Sequence, residues 1–399
     1  MLKLKLIKKK TKFPMEETDL KDHQKKTILT FGFASFLNDL GSEIAHSIWP
    51  VFVKEILKAP MSVLGLIDGL GEATVSFSQT FAGWFSDKLG KRKPFIWLGY
   101  LMSGLARVGY SITYFWGLLF PFKIFDRAGK IRETPRDVLA LEIANHKYKA
   151  RTIGFLDAMD HLGAVSGIIL AIILIKFFTP REMFFMAALP SLIAGYLILS
   201  LIKEKSSPLQ ISPLKFSPGK FAQPLKIFFF ANLLFSLGFF SYSFLLIYAR
   251  ENGWKLESVP VLYLILTMAM MLMAYPVSWL ADKIGKKRTI ILAYLFWTFS
   301  SLGFILGAKN SLIIPLLVLF GFSKATLRPS QVAFISEFSH HLFKGRTLGF
   351  FQMISGLCFL IASSLAGFFW QFFGAKTTFL FAFLTSISAI LMMLFVKEK

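Results

Sequence analysis

The sequence predicts an all-α membrane protein whose twelve transmembrane helices form two halves of six. Three observations lead to this prediction. The 399 residues are 55% hydrophobic and only 17% charged, whereas soluble domains carry about 25% charged residues. Apolar stretches of membrane-spanning length follow one another along the chain, and two sequence motifs recur at one fixed spacing. This composition excludes a disordered chain and argues against a soluble enzyme.

Each apolar stretch reaches or approaches the ~20 residues that a helix needs to cross about 30 Å of hydrocarbon. Helices are the expected spanning structure because no period-two alternation of polar and apolar residues is visible. The predicted spans lie near 27–53, 61–86, 94–113, 116–141, 150–176, 181–202, 225–249, 257–281, 288–307, 311–336, 346–373 and 377–396.

Two polar segments divide the chain. Residues 1–26 are rich in Lys and lack the apolar core of a signal peptide, so they predict a cytoplasmic tail. Residues 203–224 are polar and contain four prolines, which is typical of a linker. The predicted domains are therefore an N-terminal lobe at 27–202 and a C-terminal lobe at 225–399.

The positive charge is sorted along the chain. Twenty-nine of the 45 Lys and Arg lie on the side of the two termini, and eight lie in the loops of the opposite side. The positive-inside rule then predicts a cytoplasmic membrane protein with both termini in the cytoplasm. The net charge is +22. We expect the basic side chains to contact anionic lipid head groups and not nucleic acid. The single cysteine, Cys358, excludes an internal disulfide. We also expect the protein to be a monomer.

The two halves contain a repeat with an offset of 195 residues. GWFSDKLGKRK at 83–93 matches SWLADKIGKKR at 278–288, and ARTIGF at 150–155 matches GRTLGF at 345–350. Six helices in each half keep the two copies in the same orientation. Such halves are related by an axis along the membrane normal.

The loop after the second helix, G-x-x-x-D-K-x-G-K-R-K, resembles the signature loop of the major facilitator superfamily. Its copy after the eighth helix has Ser278 in place of the first glycine. The resemblance covers about residues 27–396. It implies two six-helix lobes around a central cavity, which move by alternating access of the rocker-switch type.

The repeated loops also predict a gate. Asp87 and Asp282 can cap a neighbouring helix or meet Arg151 and Arg346 across the lobe interface; the alternative is a solvated turn. The predicted gate residues are Asp87, Arg151, Asp282, Arg346, Glu142 and Glu337.

A narrower resemblance links FLNDLGSE at 36–43 and DRAGKIRETPRD at 126–137 to a prokaryotic branch of the superfamily, without implying a substrate. That branch reads D-R-x-G-K-G-I-R-x-x-P-R-D, and this chain lacks the glycine after Lys130. One deleted residue turns the two ends of a helical motif by about 100°. The Gly-Pro motif of proton-coupled drug antiporters is also absent from the fifth helix, which disfavours drug efflux.

Ionisable side chains inside the predicted spans are costly and are therefore functional candidates. Counted at about 1.5 Å per residue, charges from five helices share one layer near the membrane centre, where secondary transporters bind substrates and ions. The predicted proton-coupling residues are Asp39, Glu43, Asp68 and Glu72. The predicted substrate contacts are Arg107, Lys130, Lys324, Arg328, Asp126 and Arg127.

Each assignment has an alternative. The acids can form a permanent structural network with Arg107 and the fourth helix, and Lys324 with Arg328 can pair with that helix instead of binding a substrate. The residues 195 positions after the four acids are uncharged. The acids therefore belong to a task of the N-terminal half, whereas the repeated loops are shared scaffold.

Together these observations predict a proton-coupled secondary transporter for a small anionic or zwitterionic organic solute, without a cofactor or a bound metal. The alternatives are transport of a divalent metal ion by the carboxylates, efflux of drugs or metabolites, and a transport-inactive receptor or scaffold. Two intact gate motifs argue against the last. No metal-binding motif, nucleophile elbow or phosphate loop supports an enzyme.

Overall fold

The computed structural model describes residues 17–144, 149–204, 223–338 and 344–396, and all regular structure in these ranges is helical. The α-helices are α1 (Glu17–Val51), α2 (Met61–Leu89), α3 (Lys93–Ser111), α4 (Leu119–Ala128), α5 (Glu133–Ile143), α6 (Lys149–Leu174), α7 (Pro180–Leu201), α8 (Gln223–Leu237), α9 (Ser243–Glu251), α10 (Val259–Ile284), α11 (Lys286–Ile305), α12 (Ile313–Phe338), α13 (Lys344–Phe373) and α14 (Ala375–Leu394). Short helical turns lie at Phe52–Ile56, Trp116–Leu118, Gly129–Arg132, Leu256–Ser258 and Asn310–Leu312. The predicted all-α class is confirmed over these ranges.

Two of the predicted spans are interrupted. A 3₁₀ turn at Gly129–Arg132 separates α4 from α5, and residues 238–242 separate α8 from α9. Counted as single spans, these pairs bring the described helices to the predicted twelve. The prediction of one continuous helix at 116–141 is therefore wrong at Gly129–Arg132, where the chain forms a 3₁₀ turn. The interruption lies where the chain crosses α3, and the Arg132 guanidinium donates to the Gly129 carbonyl at 2.8 Å there.

Seven of the described helices are long and apolar enough to cross a membrane by length and composition: α6, α7, α10, α11, α12, α13 and α14. The other spans, which are α1, α2, α3 and the interrupted pairs α4–α5 and α8–α9, either contain a break or have charged side chains among their apolar residues. Asp68 and Glu72 lie in α2, and Arg107 lies in α3. Many of the charged side chains within the spans therefore lie in α2, α3 and the α4–α5 segment.

The helices pack as an N-lobe and a C-lobe. In the N-lobe, α1 packs on α6 and α7, and α3 packs on α7; in the C-lobe, α11 packs on α12 and α14. The lobes meet where α2 packs on α13 and where α6 packs on α10. The predicted linker lies almost wholly outside the described residues. Of the predicted tail, the structure describes residues 17–26, which form the first turns of α1.

The position of the site is described relative to the two opposite ends of the helix bundle. We call the end that holds the start of α1 and the end of α14 the terminal face. The opposite end, which holds the connections at 57–60, 112–118 and 175–179, is the distal face.

Glycines allow the closest helix crossings. A Cβ atom at Gly163 of α6 would lie 2.4 Å from the Phe36 carbonyl oxygen of α1. Between the lobes, a Cβ at Gly65 of α2 would lie 2.0 Å from the Ser363 carbonyl oxygen of α13. Close backbone approach replaces the hydrophobic driving force that helices lack in lipid. Both the N-lobe and the lobe interface therefore depend on positions without a side chain.

Replacing Gly163 by Ala should lower the melting temperature of the purified protein, because overpacking of this kind costs about 1–3 kcal/mol. Gly154→Ala is the matched control on the same helix, since nothing lies within 4 Å of a Cβ there. It should leave the melting temperature unchanged or raise it, because Ala is a better helix former. Equal losses in both variants would contradict the packing described for α1 and α6.

Candidate substrate cavity

A cavity of about 450 Å³ lies between the two lobes. Helix α2 and the α4–α5 segment form its N-lobe wall, and α8, α12 and α13 form its C-lobe wall. Its volume is within the ~300–1,000 Å³ of small-molecule sites. The charged residues that line it are Glu72, Arg127, Lys130, Glu133, Lys324 and Arg328. Four cations and two carboxylates give the lining a formal charge of +2.

Lys324 and Arg328 bring positive charge to the C-lobe wall. They lie one helical turn apart on α12, so both point to one face, and both are exposed to the cavity. Within the described part of the chain, neither side chain forms a hydrogen bond or an ion pair. The alternative, in which Lys324 and Arg328 form ion pairs with acids of the fourth predicted span, is therefore not supported by any contact in the described residues.

Arg127 of α4 is the corresponding cation on the N-lobe wall. It fits there because Gly71 of α2 has no side chain: a Cβ would lie 3.3 Å from Cγ of Arg127. The Arg127 Nε atom is buried and has no hydrogen-bond partner among the described residues. The guanidinium therefore lies at the cavity with one N–H group, at Nε, that donates no hydrogen bond to the described residues.

The other charged groups of the N-lobe wall differ in their pairing. Lys130 donates to Glu133, and the Gln79 amide donates to the same carboxylate at 2.6 Å. Glu72 is exposed to the cavity at its distal end. Lys130 is thus already neutralised by a neighbour, whereas Glu72 faces the open space.

Arg107 and Asp126 lie behind the cavity wall. The Arg107 guanidinium is almost fully buried and donates to Ser42 Oγ at 2.6 Å and to the Ala187 carbonyl at 3.1 Å. It lies 3.8 Å from the Asp126 carboxylate. Asp39, half-buried, accepts a hydrogen bond from Asn38 at 3.0 Å. These groups connect α1, α3, α4 and α7 within the N-lobe and do not line the cavity.

Asp68 joins the two lobes. Its carboxylate is buried and accepts hydrogen bonds from Trp49 Nε1 at 2.7 Å and from the C-lobe hydroxyls of Ser241 and Ser243 at 2.6 Å each. The Lys123 ammonium lies 3.7 Å away and 3.5 Å from the centre of the Trp49 ring. The carboxylate of Asp68 is therefore shared between donors of both lobes.

Glu43 makes a second contact of the same kind. It accepts a hydrogen bond from the C-lobe hydroxyl of Tyr263 at 2.8 Å and lies 3.5 Å from Nδ1 of His46 on its own helix. The Tyr242 hydroxyl donates to the His46 carbonyl at 3.0 Å. Glu43 and Asp68 are thus both N-lobe acceptors for C-lobe hydroxyls.

Further contacts between the lobes lie at the distal face. The Arg250 guanidinium binds both carboxylate oxygens of Glu55 at 2.7 Å, and Ser62 Oγ donates to Gln371 at 2.6 Å. The cavity lies on the other side of these contacts and reaches Gln79 on α2, toward the terminal face. In this structure the lobes are closed together at the distal end of the cavity.

The gate residues are only partly described. Asp87 lies 3.2 Å from the Arg92 guanidinium, which also pairs with Glu142. Glu337 pairs with Lys286 in the C-lobe. The side chains of Arg151, Asp282 and Arg346 lie outside the described residues. The predicted contacts of Asp87 with Arg151 and of Asp282 with Arg346 therefore stay predictions.

Several residues of the site were not singled out from the sequence. Ser241 and Ser243 follow Gly238 in the break between α8 and α9, where clustered small residues are a weak turn signal. Gln79 is an ordinary polar residue of α2. Phe239 and Phe359 line the cavity, but nothing separates them from the other phenylalanines of a chain that contains 46.

Solved structures of transporters share this fold. The nucleoside transporter NupG superimposes with a TM-score of 0.79 at 14% identity, covering 94% of this chain and 100% of NupG. A bacterial homologue of the human lysosomal transporter Spinster, in an inward-facing and occupied conformation, superimposes with a TM-score of 0.76 at 12% identity. It covers 94% of this chain and 97% of that protein. At these identities the likeness shows the fold alone.

A closer relative by sequence is an uncharacterized MFS-type transporter of Methanocaldococcus jannaschii. It is 30% identical over 382 residues, which are 93% of this chain and 95% of the relative. The sequence profile of the Major Facilitator Superfamily matches residues 31–229 and again 228–399, one match for each lobe. The chain therefore belongs to the Major Facilitator Superfamily and is a multi-pass membrane transporter for a small molecule, not an enzyme.

Proposed function

We propose that this transporter moves a small anionic or zwitterionic organic solute across the cytoplasmic membrane by alternating access, coupled to protons. The observation that carries the proposal is the pair of cations Lys324 and Arg328, which are exposed to the central cavity and form no ion pair with any residue that the structure describes. A charge in such a site is costly unless a partner compensates it. A negative group on the substrate supplies that partner in the occupied transporter.

The orientation follows from the distribution of basic residues. By their order in the sequence, 29 of the 45 Lys and Arg belong to the tails and connections on the side of the two termini, and the positive-inside rule assigns that side to the cytoplasm. The distal contacts then close the extracytoplasmic side, and the cavity is on the cytoplasmic side. To release or take up substrate on the other side, the lobes must break the contacts of Asp68 and Glu43 with the C-lobe.

Proton coupling is assigned to carboxylates whose contacts change with the position of the lobes. Glu72 faces the cavity beside the cations, and Glu43 and Asp68 accept hydrogen bonds from C-lobe hydroxyls. Protonation removes the negative charge that makes such hydrogen bonds strong. A proton taken up by these groups therefore weakens the distal closure, whereas Asp39 serves the N-lobe network.

Substrate binding should depend on the cations of α12. In thermal-shift titrations of the purified protein, organic anions or zwitterions should raise the melting temperature and neutral solutes should not. The double variant Lys324→Gln with Arg328→Gln should lose about tenfold or more in apparent affinity, because a hydrogen bond to a charged group contributes about 1.5–3 kcal/mol. Lys309→Gln, in an exposed distal loop, is the control. Equal stabilisation by neutral solutes would exclude an anion site.

Gradient-driven transport should depend on Glu72. In proteoliposomes, Glu72→Gln should abolish uptake driven by a pH gradient and retain exchange of substrate, since the amide cannot carry a proton. Glu43→Gln should act in the same direction. Glu257→Gln removes an exposed carboxylate at the distal face and should behave as wild type. Full gradient-driven uptake in both the Glu72 and the Glu43 variant would refute this assignment of proton coupling.

Distal closure should depend on Ser241 and Ser243. Changing both to Ala removes two donors to a buried carboxylate, which should shift the population toward distal opening by about tenfold or more. The readout is labelling of Ser363→Cys by an impermeant maleimide in a Cys358→Ser background. Ser363 is buried at the α2–α13 contact, and within the part of the chain that the structure describes its hydroxyl has no hydrogen-bond partner.

Labelling of Ser363→Cys should become several-fold faster in the double alanine variant. Ser386→Ala is the matched control, because it removes another buried C-lobe hydroxyl that has no hydrogen-bond partner. An unchanged labelling rate in the double variant would mean that Asp68 does not hold the distal end closed.

A further inference from the structure

The charge of the cavity lining indicates the charge of a matching substrate. Lys130 is paired with Glu133, which leaves Arg127, Lys324 and Arg328 against the carboxylate of Glu72. With all of these groups ionised, the balance is +2. A dianion compensates this charge, whereas a monoanion or a zwitterion leaves positive charge unpaired in a region of low dielectric.

Two cations from different lobes line the same two spaces, together with the carboxylate of Glu72. Arg127 of the N-lobe and Lys324 of the C-lobe line both the main cavity and a small chamber of about 40 Å³ at its distal end. The single carboxylate of Glu72 compensates one of these two like charges, so their mutual repulsion is only partly offset. A substrate group with several anionic oxygens can bind both cations at once, compensate the remaining positive charge and connect the two lobes.

Aromatic rings lie beside the same place. Phe239, in the break between α8 and α9, and Phe359 of α13 also line both spaces, and both rings are half-buried. Phe239 is held in position by stacking on Phe235 and Phe320, at centroid distances of 5.2 and 5.3 Å. A fixed aromatic surface favours a planar ring, because offset stacking adds to the burial of apolar area.

From these observations we infer that the cavity binds an aromatic dianion, such as an aryl phosphate monoester or an aromatic dicarboxylate. Its anionic group lies between Arg127 and Lys324, and its ring lies against Phe239 and Phe359. The inference rests on the proposed transport of an organic anion and narrows the substrate to one class.

Four probes separate the contributions of ring and charge. Phenyl phosphate carries both features, glycerol 3-phosphate carries the dianion alone, benzoate carries a ring with one charge, and benzyl alcohol carries the ring alone. The full-length protein is titrated with each in detergent at pH 8, where phosphate monoesters are dianions because their second pKa is near 6. Thermal shifts give the apparent affinities.

Phenyl phosphate should bind about tenfold or more tightly than glycerol 3-phosphate and benzoate, a difference of at least about 1.4 kcal/mol. Benzyl alcohol should give no shift at the same concentrations. Phe239→Leu should reduce the affinity for phenyl phosphate to that for glycerol 3-phosphate and leave the latter unchanged. Phe299→Leu, which removes an exposed ring of α11, should leave both affinities unchanged.

The outcomes distinguish this inference from the proposed function. Equal affinities for phenyl phosphate and glycerol 3-phosphate would overturn the aromatic part, and equal affinities for phenyl phosphate and benzoate would overturn the dianion part; both leave anion transport in place. A shift with benzyl alcohol as large as with phenyl phosphate would overturn the inference and the proposed anion site together, as would binding of none of the three anions.

Discussion

An ionised side chain inside a bilayer must be paired or must face water, because hydrocarbon solvates no charge. This constraint divides the charges of the N-lobe into two sets. Arg107 and Asp126 are enclosed by partners on neighbouring helices and hold the lobe together. Arg127 and Glu72 face the cavity. The enclosed set fixes the helices that carry the exposed set, so the geometry of the cavity depends on charges that never meet the solute.

The two lobes repeat their scaffold but not their charges. Tyr263 occupies the position 195 residues after Asp68, and its hydroxyl donates to the carboxylate of Glu43. Arg328 occupies the corresponding position to Glu133, so one cavity wall has a cation where the other has an acid. The two lobes are therefore complementary where they meet: the N-lobe supplies the carboxylates of Glu43 and Asp68, and the C-lobe supplies the hydroxyls that donate to them. Closure of the lobes brings donors to acceptors.

The prediction of the fold succeeded because its signals are local. Apolar runs, basic loops and the 195-residue repeat depend only on what lipid and water demand of a helix and its ends. The break at Gly129–Arg132 was not predictable, because it arises where α4 crosses α3. Ser241 and Ser243 could not be chosen among many serines, since their importance comes from the buried carboxylate of Asp68 on the other lobe.

The order of residues was enough to establish a helical membrane protein of two related halves and to mark the rare charges within its spans, because the cost of burying charge in lipid holds for any packing. It did not distinguish Glu72, which faces the cavity, from Asp68, which is enclosed four residues earlier on the same helix. Positions one helical turn apart share a face, so periodicity treats them alike. Their different surroundings come from the other lobe, whose position is fixed only when the complete bundle has packed.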